Sequence, residues 1–177
     1  GKNGETLSTT TVLDGATLSI SHASTINVPE PITISGTGVL SAGAIQFTGS
    51  GANTYSGAII LGANATISSI GSGGTTFSGT INATSSGVQS LTITTTTDNF
   101  TIAGAIGGTT RPSTVDISAI GTGRTLSIEQ DISSIGDQTF TATAGITVSG
   151  DRTFTSSTLD GNTLSTINTA SAVAVKR

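Results

Sequence analysis

The sequence predicts an all-β fold in which short strands stack as the coils of a β-solenoid. Three observations carry that expectation. The composition favours small and β-branched residues with few charges. Strand-like alternation recurs in short stretches along the chain. A three-residue motif returns at steps of a little over twenty residues.

The composition is strongly biased. Thr, Ser and Gly make up close to half of the 177 residues, aromatics are 3% and charged residues 9%. An ordinary soluble domain carries roughly 25% charged residues. Disorder usually pairs low hydrophobicity with high charge. Here charge is low and the hydrophobic fraction is 34%, which suits a pleated, half-buried surface. The net charge of -4 and six scattered Lys and Arg argue against nucleic acid, which needs clustered cations. Cysteine is absent, so disulfides and thiolate metal sites are excluded. The apolar run Ala58-Ile59-Ile60-Leu61 is far too short to span a bilayer, so no membrane insertion is expected. A chain that starts at Gly1 and lacks a signal peptide reads as a processed secreted product or a fragment.

The strand expectation rests on alternation. Leu18-Ser19-Ile20, Ile32-Thr33-Ile34, Leu91-Thr92-Ile93, Val115-Asp116-Ile117, Leu126-Ser127-Ile128 and Ile146-Thr147-Val148 each alternate apolar and polar residues. Gly, Asn, Ser or Asp lies close to each, as between short strands with one buried face. The repeat expectation rests on spacing. An apolar residue, Ser or Ala, then Gly recurs at Ile34-Ser35-Gly36, Tyr55-Ser56-Gly57, Phe77-Ser78-Gly79 and Ile102-Ala103-Gly104. The steps are 55−34 = 21, 77−55 = 22 and 102−77 = 25. The triplet returns at Val148-Ser149-Gly150, 148−102 = 46 residues on. A period in the twenties marks stacked units that cannot bury an apolar face alone, and at this period the chain makes about eight coils. A longer similarity links Asn53-Thr54-Tyr55 to Gln138-Thr139-Phe140 and Thr66-Ile67 to Thr153-Phe154, at offsets of 139−54 = 85 and 153−66 = 87. It reads as duplication of a module of about four coils.

The stretch Ala52-Asn53-Thr54-Tyr55-Ser56-Gly57-Ala58-Ile59-Ile60-Leu61-Gly62-Ala63-Asn64-Ala65-Thr66 resembles repeats of bacterial filamentous-haemagglutinin-like and autotransporter-passenger proteins. So do Thr76-Phe77-Ser78-Gly79-Thr80-Ile81 and Ile102-Ala103-Gly104-Ala105-Ile106-Gly107-Gly108-Thr109-Thr110. The resemblance covers residues 45–159. It implies a right-handed parallel β-helix with coils of about 20–25 residues, exported to the cell surface as an adhesin or fibrous structure.

Chemistry is sparse. Residues 31–97 contain no charged side chain, so that stretch holds no general acid or base. Asp116 and Asp137 are 21 residues apart and could stack on adjacent coils, as carboxylates that cleave glycosides or bind calcium do. Solvated turn residues are the simpler reading. His22 stands without a second His, against a triad or a zinc site. Thr92, Thr94 and Thr96 alternate, and so do Thr139, Thr141 and Thr143, with Thr153 and Thr155 a brief third case. The recurrence reads as too irregular for the flat threonine array of an ice-binding face. Asn64, Asn82 and Asn99 head sequons and are candidate glycosylation sites. Asn ladders between coils are the alternative. No catalytic, metal or cofactor-binding residue is assigned, and no enzyme is expected.

Residues 1–177 read as one solenoid domain, with segments 1–16 and 160–177 joining subunits. Leu7, Val12 and Leu13 at one end and Leu164, Ile167, Val173 and Val175 at the other are the candidate assembly strands. Uncapped solenoid ends favour head-to-tail, non-closing contacts between copies of the chain. The expected function is an extracellular structural protein that forms or extends a bacterial surface filament. A surface adhesin segment and a carbohydrate-binding or carbohydrate-cleaving β-helix are the alternatives.

Overall fold

A computed structural model describes residues 9–156 together with the strands Ser165–Thr169 and Ala174–Lys176. The chain is a β-solenoid with three parallel faces. The first face begins at Thr10–Val12, the second at Leu18–Ile20 and the third at Ile26–Val28. The chain then returns to the first face at Ile32–Gly36 and repeats the circuit. Every pairing is parallel. The strand Ile59–Ser69 turns from the first face onto the second without a break, so most of those two faces bond as one ten-stranded sheet, while the upper first-face strands Ile132–Ser134 and Phe154–Ser156 form a separate pair. The third face is a separate sheet of seven strands.

Stacking in register puts like residues above like. On the second face Leu18, Ile45, Ile67, Ile93, Ile117 and Phe140 form one inward column. On the first, Ile32, Ile59, Ile81, Ile106, Ile132 and Phe154 do the same. On the third, the column is Val28, Tyr55, Phe77, Ile102, Ile128 and Val148. These columns meet in a single core, in which Phe47, Phe77 and Phe100 pack ring to ring at 5.8 and 5.9 Å. β-Branched side chains pack well on a pleated surface, and the alternation sends the intervening Thr and Ser outward.

The coil count differs from the expected eight. Along the first face six steps lead from Thr10 to Phe154, so a coil averages (154−10)/6 = 24 residues and the solenoid makes about six turns. Individual steps vary from 20 (Ile128 to Val148) to 27 (Val28 to Tyr55), because corners differ in length while the strands keep register. The three-residue motif is confirmed at Tyr55, Phe77, Ile102 and Val148, which share one column of the third face. Ile128, followed by Glu129 and Gln130, fills the gap of 46 residues. Ile34 does not belong to this series. It lies on the first face, and Val28 is the true neighbour of Tyr55.

The longer similarity is not a duplication of whole coils. Asn53–Tyr55 lies on the third face and Gln138–Ala142 on the second; Thr66 lies on the second and Thr153 leads into the first. Each pair is displaced by one face. What recurs is a local strand-and-turn pattern.

The motif glycines mark a backbone constraint. The carbonyls of Val28, Tyr55 and Phe77 each accept two backbone N–H groups from the corner of the next coil, such as Ser78 and Gly79 on Tyr55. This draws one corner down onto another. A Cβ on Gly57 would lie 2.1 Å from the Glu30 carbonyl oxygen, one on Gly79 1.9 Å from that of Gly57, and one on Gly104 2.0 Å from that of Gly79. Gly74 differs: a Cβ there meets nothing, but its φ of +91° is left-handed. Gly79→Ala is expected to lower stability by about 1–3 kcal/mol through overpacking against backbone. Gly74→Ala should cost about 1–2 kcal/mol from its dihedral alone. Urea unfolding of the two variants checks both.

Candidate functional site

The first charged residue after the uncharged stretch, Asp98, is buried at the corner between the second and third faces. Its Oδ1 accepts the backbone N–H of Gly74 at 2.6 Å and of Asn99 at 2.9 Å. Its Oδ2 accepts the hydroxyls of Ser69 at 2.7 Å and Thr75 at 2.8 Å. Its own N–H bonds to Thr95 Oγ1. A carboxylate has about four acceptor positions, and all are in use. Asp98 ties consecutive coils together and has no capacity left for a substrate. Sequence reasoning missed it. Its signal was a lone charge behind a long uncharged run, next to Thr and Asn.

The three sequon asparagines perform a related task. Asn64 Oδ1 accepts the Ser90 N–H at 2.9 Å, Asn99 Oδ1 the Thr125 N–H at 3.0 Å, and Asn82 Oδ1 the N–H groups of Thr109 and Thr110 at 3.0 and 3.2 Å. Each bond reaches the following coil. Asn64 and Asn99 are exposed, and Asn82 is buried. The expected inter-coil role is present as single brackets at corners, rather than as ladders of asparagine on asparagine.

The structure separates the candidate carboxylate pair. Asp116 stands beside Thr92 and Thr139 on the second face, whereas Asp137 precedes the strand Gln138–Ala142 and gives its carbonyl to the Val115 N–H. The spacing of 21 failed because this coil step is 23 (Asp116 to Thr139). Partial desolvation raises the Asp116 carboxyl pKa above its ordinary value. His22 is exposed, and its Nδ1 accepts the Ser24 N–H within its own turn. Among the described residues no three His, Cys, Asp or Glu side chains gather as a metal site. None of the described helices is long and apolar enough to cross a membrane.

The aromatics face inward. Tyr55, Phe47, Phe77, Phe100 and Phe140 are fully buried, and Phe154 packs partly against the core. The Tyr55 hydroxyl donates to the Glu30 carbonyl at 2.8 Å. Burial first, and the Glu30 charge second, push its pKa to about 12.

The second face carries a regular outward surface. Thr92, Thr94 and Thr96 form one rung, Asp116, Ser118 and Ile120 the next, and Thr139, Thr141 and Thr143 the third. The two Thr triplets therefore lie on one face, two coils apart. The rung between them substitutes Ser118, which keeps the hydroxyl, and Ile120, which keeps the β-branch. That is why the array looked irregular in sequence. Thr155 is not part of it and belongs to the first face. Below, residues 37–43 form a loop with a short 3-10 turn at Val39–Ser41, held to this face by the Ser68 hydroxyl bond to the Ala42 carbonyl.

The described candidate assembly residues, Val12, Leu13, Ile167 and Val175, fall at the two ends. Val12 points inward on the lowest rung, and Leu13 beside it is 68% exposed. Ile167 and Val175 continue the registers of Phe140 and Val148. Leu7, Leu164 and Val173 lie outside the described residues.

Two outcomes follow. Asp98→Ala leaves two hydroxyls and two N–H groups without their acceptor, so a loss of at least about 3 kcal/mol is expected in urea unfolding. Tyr55 is the one tyrosine, so phenolate absorbance reads it alone. Below pH 10 the phenol is protonated in both folded and unfolded chains. Above it the unfolded chain ionises first, so stability should fall between pH 10 and about 12 by about 2–3 kcal/mol. A phenolate titration centred near 10 in the folded chain would contradict this. Compared with family models, curated proteins and solved structures, the chain finds no match.

Proposed function

We propose that the chain is an extracellular structural solenoid that forms or extends a bacterial surface filament, of the filamentous-haemagglutinin-like or autotransporter-passenger kind. The observation that carries the reading is the lowest coil. Thr10–Val12, Leu18–Ile20 and Ile26–Val28 are each paired on one side only among the described strands. They offer three parallel edges at once, around inward side chains that are not fully covered: Leu18, Ile26 and Val28 are partly buried. An unpaired edge is a template for another chain. The uppermost strands, Ser165–Thr169 and Ala174–Lys176, end the second and third faces at the opposite pole. A second copy docked there continues the ladder with Leu18 above Ile167 and Val28 above Val175. The joint is heterologous and does not close, so it propagates.

The reading assigns no catalysis. Asp98 is saturated with donors, and Asp116 and Asp137 are not adjacent. A sugar-binding role finds little support, because the aromatic rings that would stack on a sugar are in the core.

Electron microscopy of the purified chain over a concentration series tests the proposal. Uniform filaments with an axial repeat of about 4.8 Å are expected. Val12→Lys puts a charge into the joint and should shorten or abolish them while the rods remain folded. Monodisperse short rods at every concentration would overturn end-to-end stacking and favour an adhesin segment that works through its lateral faces.

A further inference from the structure

We infer that the outward surface of the second face is an ice-binding plane. Three properties of that surface, independent of the filament reading, point to a partner that is uncharged, periodic and made of water.

The first is spacing. Rungs in a parallel sheet lie about 4.8 Å apart, and alternate residues along a strand about 6.6 Å apart. The registers of Leu91–Thr95, Val115–Ala119 and Gln138–Ala142 run without a shift, so the outward columns Thr92–Asp116–Thr139 and Thr94–Ser118–Thr141 occupy a rectangular grid with those two spacings, and Thr96, Ile120 and Thr143 follow just past the strand ends. The rung spacing lies close to the shorter oxygen repeat on the prism planes of hexagonal ice, and the along-strand spacing falls somewhat short of the longer repeat. The grid is held from within: Ser118 Oγ donates to Thr94 Oγ1 at 3.3 Å, and the Thr143 hydroxyl bonds to the Gly121 carbonyl.

The second is chemistry. Thr supplies a hydroxyl and a methyl at six of the nine grid points. Except at Thr143, whose hydroxyl is bonded to the Gly121 carbonyl and the Arg124 N–H, the Thr hydroxyl anchors a water molecule, and the methyl restricts the orientation of the water beside it. The middle rung keeps both elements through Ser118 and Ile120, the latter 51% exposed.

The third is charge. The three rungs contain no cation and one carboxylate, Asp116. The surface therefore complements neither a polyanion nor an anionic membrane. It presents no aromatic ring, so it lacks the platform for a sugar. It also lacks the aromatic and Arg anchors of a protein interface. A hydroxylated plane with a single carboxylate complements an uncharged lattice better than it does a charged partner.

The test measures the gap between the melting and freezing temperatures of a single ice crystal in a solution of the purified chain. A gap that grows with protein concentration, with a faceted crystal, is expected. Thr94→Tyr places a ring in the centre of the grid and should remove the gap. Thr76→Tyr makes the same change on the outward column of the third face and should leave it intact. Circular dichroism melting confirms that both fold. If Thr94→Tyr does not fold, Thr141→Lys takes its place. Coincident melting and freezing for the unmodified chain would overturn the proposal, as would equal losses in the two tyrosine variants. Dimerisation that Thr94→Tyr abolishes, without a gap, would overturn it in favour of contact between two copies of this face.

Discussion

Everything in this molecule depends on one coil finding another above it. A single circuit of three short strands, such as Thr10–Val12, Leu18–Ile20 and Ile26–Val28, has no partner for its backbone within itself. Its apolar side chains line only one slice of a core. Pairing in register satisfies the backbone and extends the columns in the same step. The side chains then follow. A residue at a given point of the circuit must suit the residue one coil below, so Ile67, Ile93 and Ile117 repeat. The same rule repeats threonine on the outside.

The corners absorb what the strands cannot. Coil steps of 20 to 27 residues coexist with continuous ladders on the second and third faces, because extra residues leave the circuit between faces. Corners also expose N–H groups that no strand satisfies. Asp98, Asn64, Asn82 and Asn99 supply acceptors there, each reaching into a neighbouring coil. Where no side chain does so, backbone lies directly on backbone, as at Gly57, Gly79 and Gly104. Polar residues thus hold the edges of the prism while apolar residues fill its interior.

The solenoid was legible in the sequence because its signals are local and repetitive. Alternation marked strands such as Leu91–Thr95, and the motif at Tyr55, Phe77, Ile102 and Val148 marked one true column. The number of coils and the assignment of residues to faces were not legible. A chain with three similar faces offers three starting points for every count. Ile34 entered the wrong series for that reason, and Asp116 was matched to Asp137 instead of Thr139. The two Thr triplets were legible, but the outward grid read as irregular because its middle rung is spelled Asp116, Ser118 and Ile120 rather than Thr. Ser69, Gly74 and Thr75, which Asp98 binds from the preceding coil, lie 23 to 29 residues away, beyond any local pattern.

Strand direction also sets how the molecule meets force. The strands run across the solenoid axis, so the ladder hydrogen bonds lie along it. Tension applied to the two poles as whole surfaces loads three faces together, and the bonds of a rung must break at once. Tension applied to the chain ends acts differently. It peels the last strand, then the one before, so resistance is met a few bonds at a time. Each coil released by peeling adds 24 residues of slack, about 80 Å of extended chain. A fibre made of such units is stiff when gripped by its ends as a column and yields like a tape when pulled by a thread.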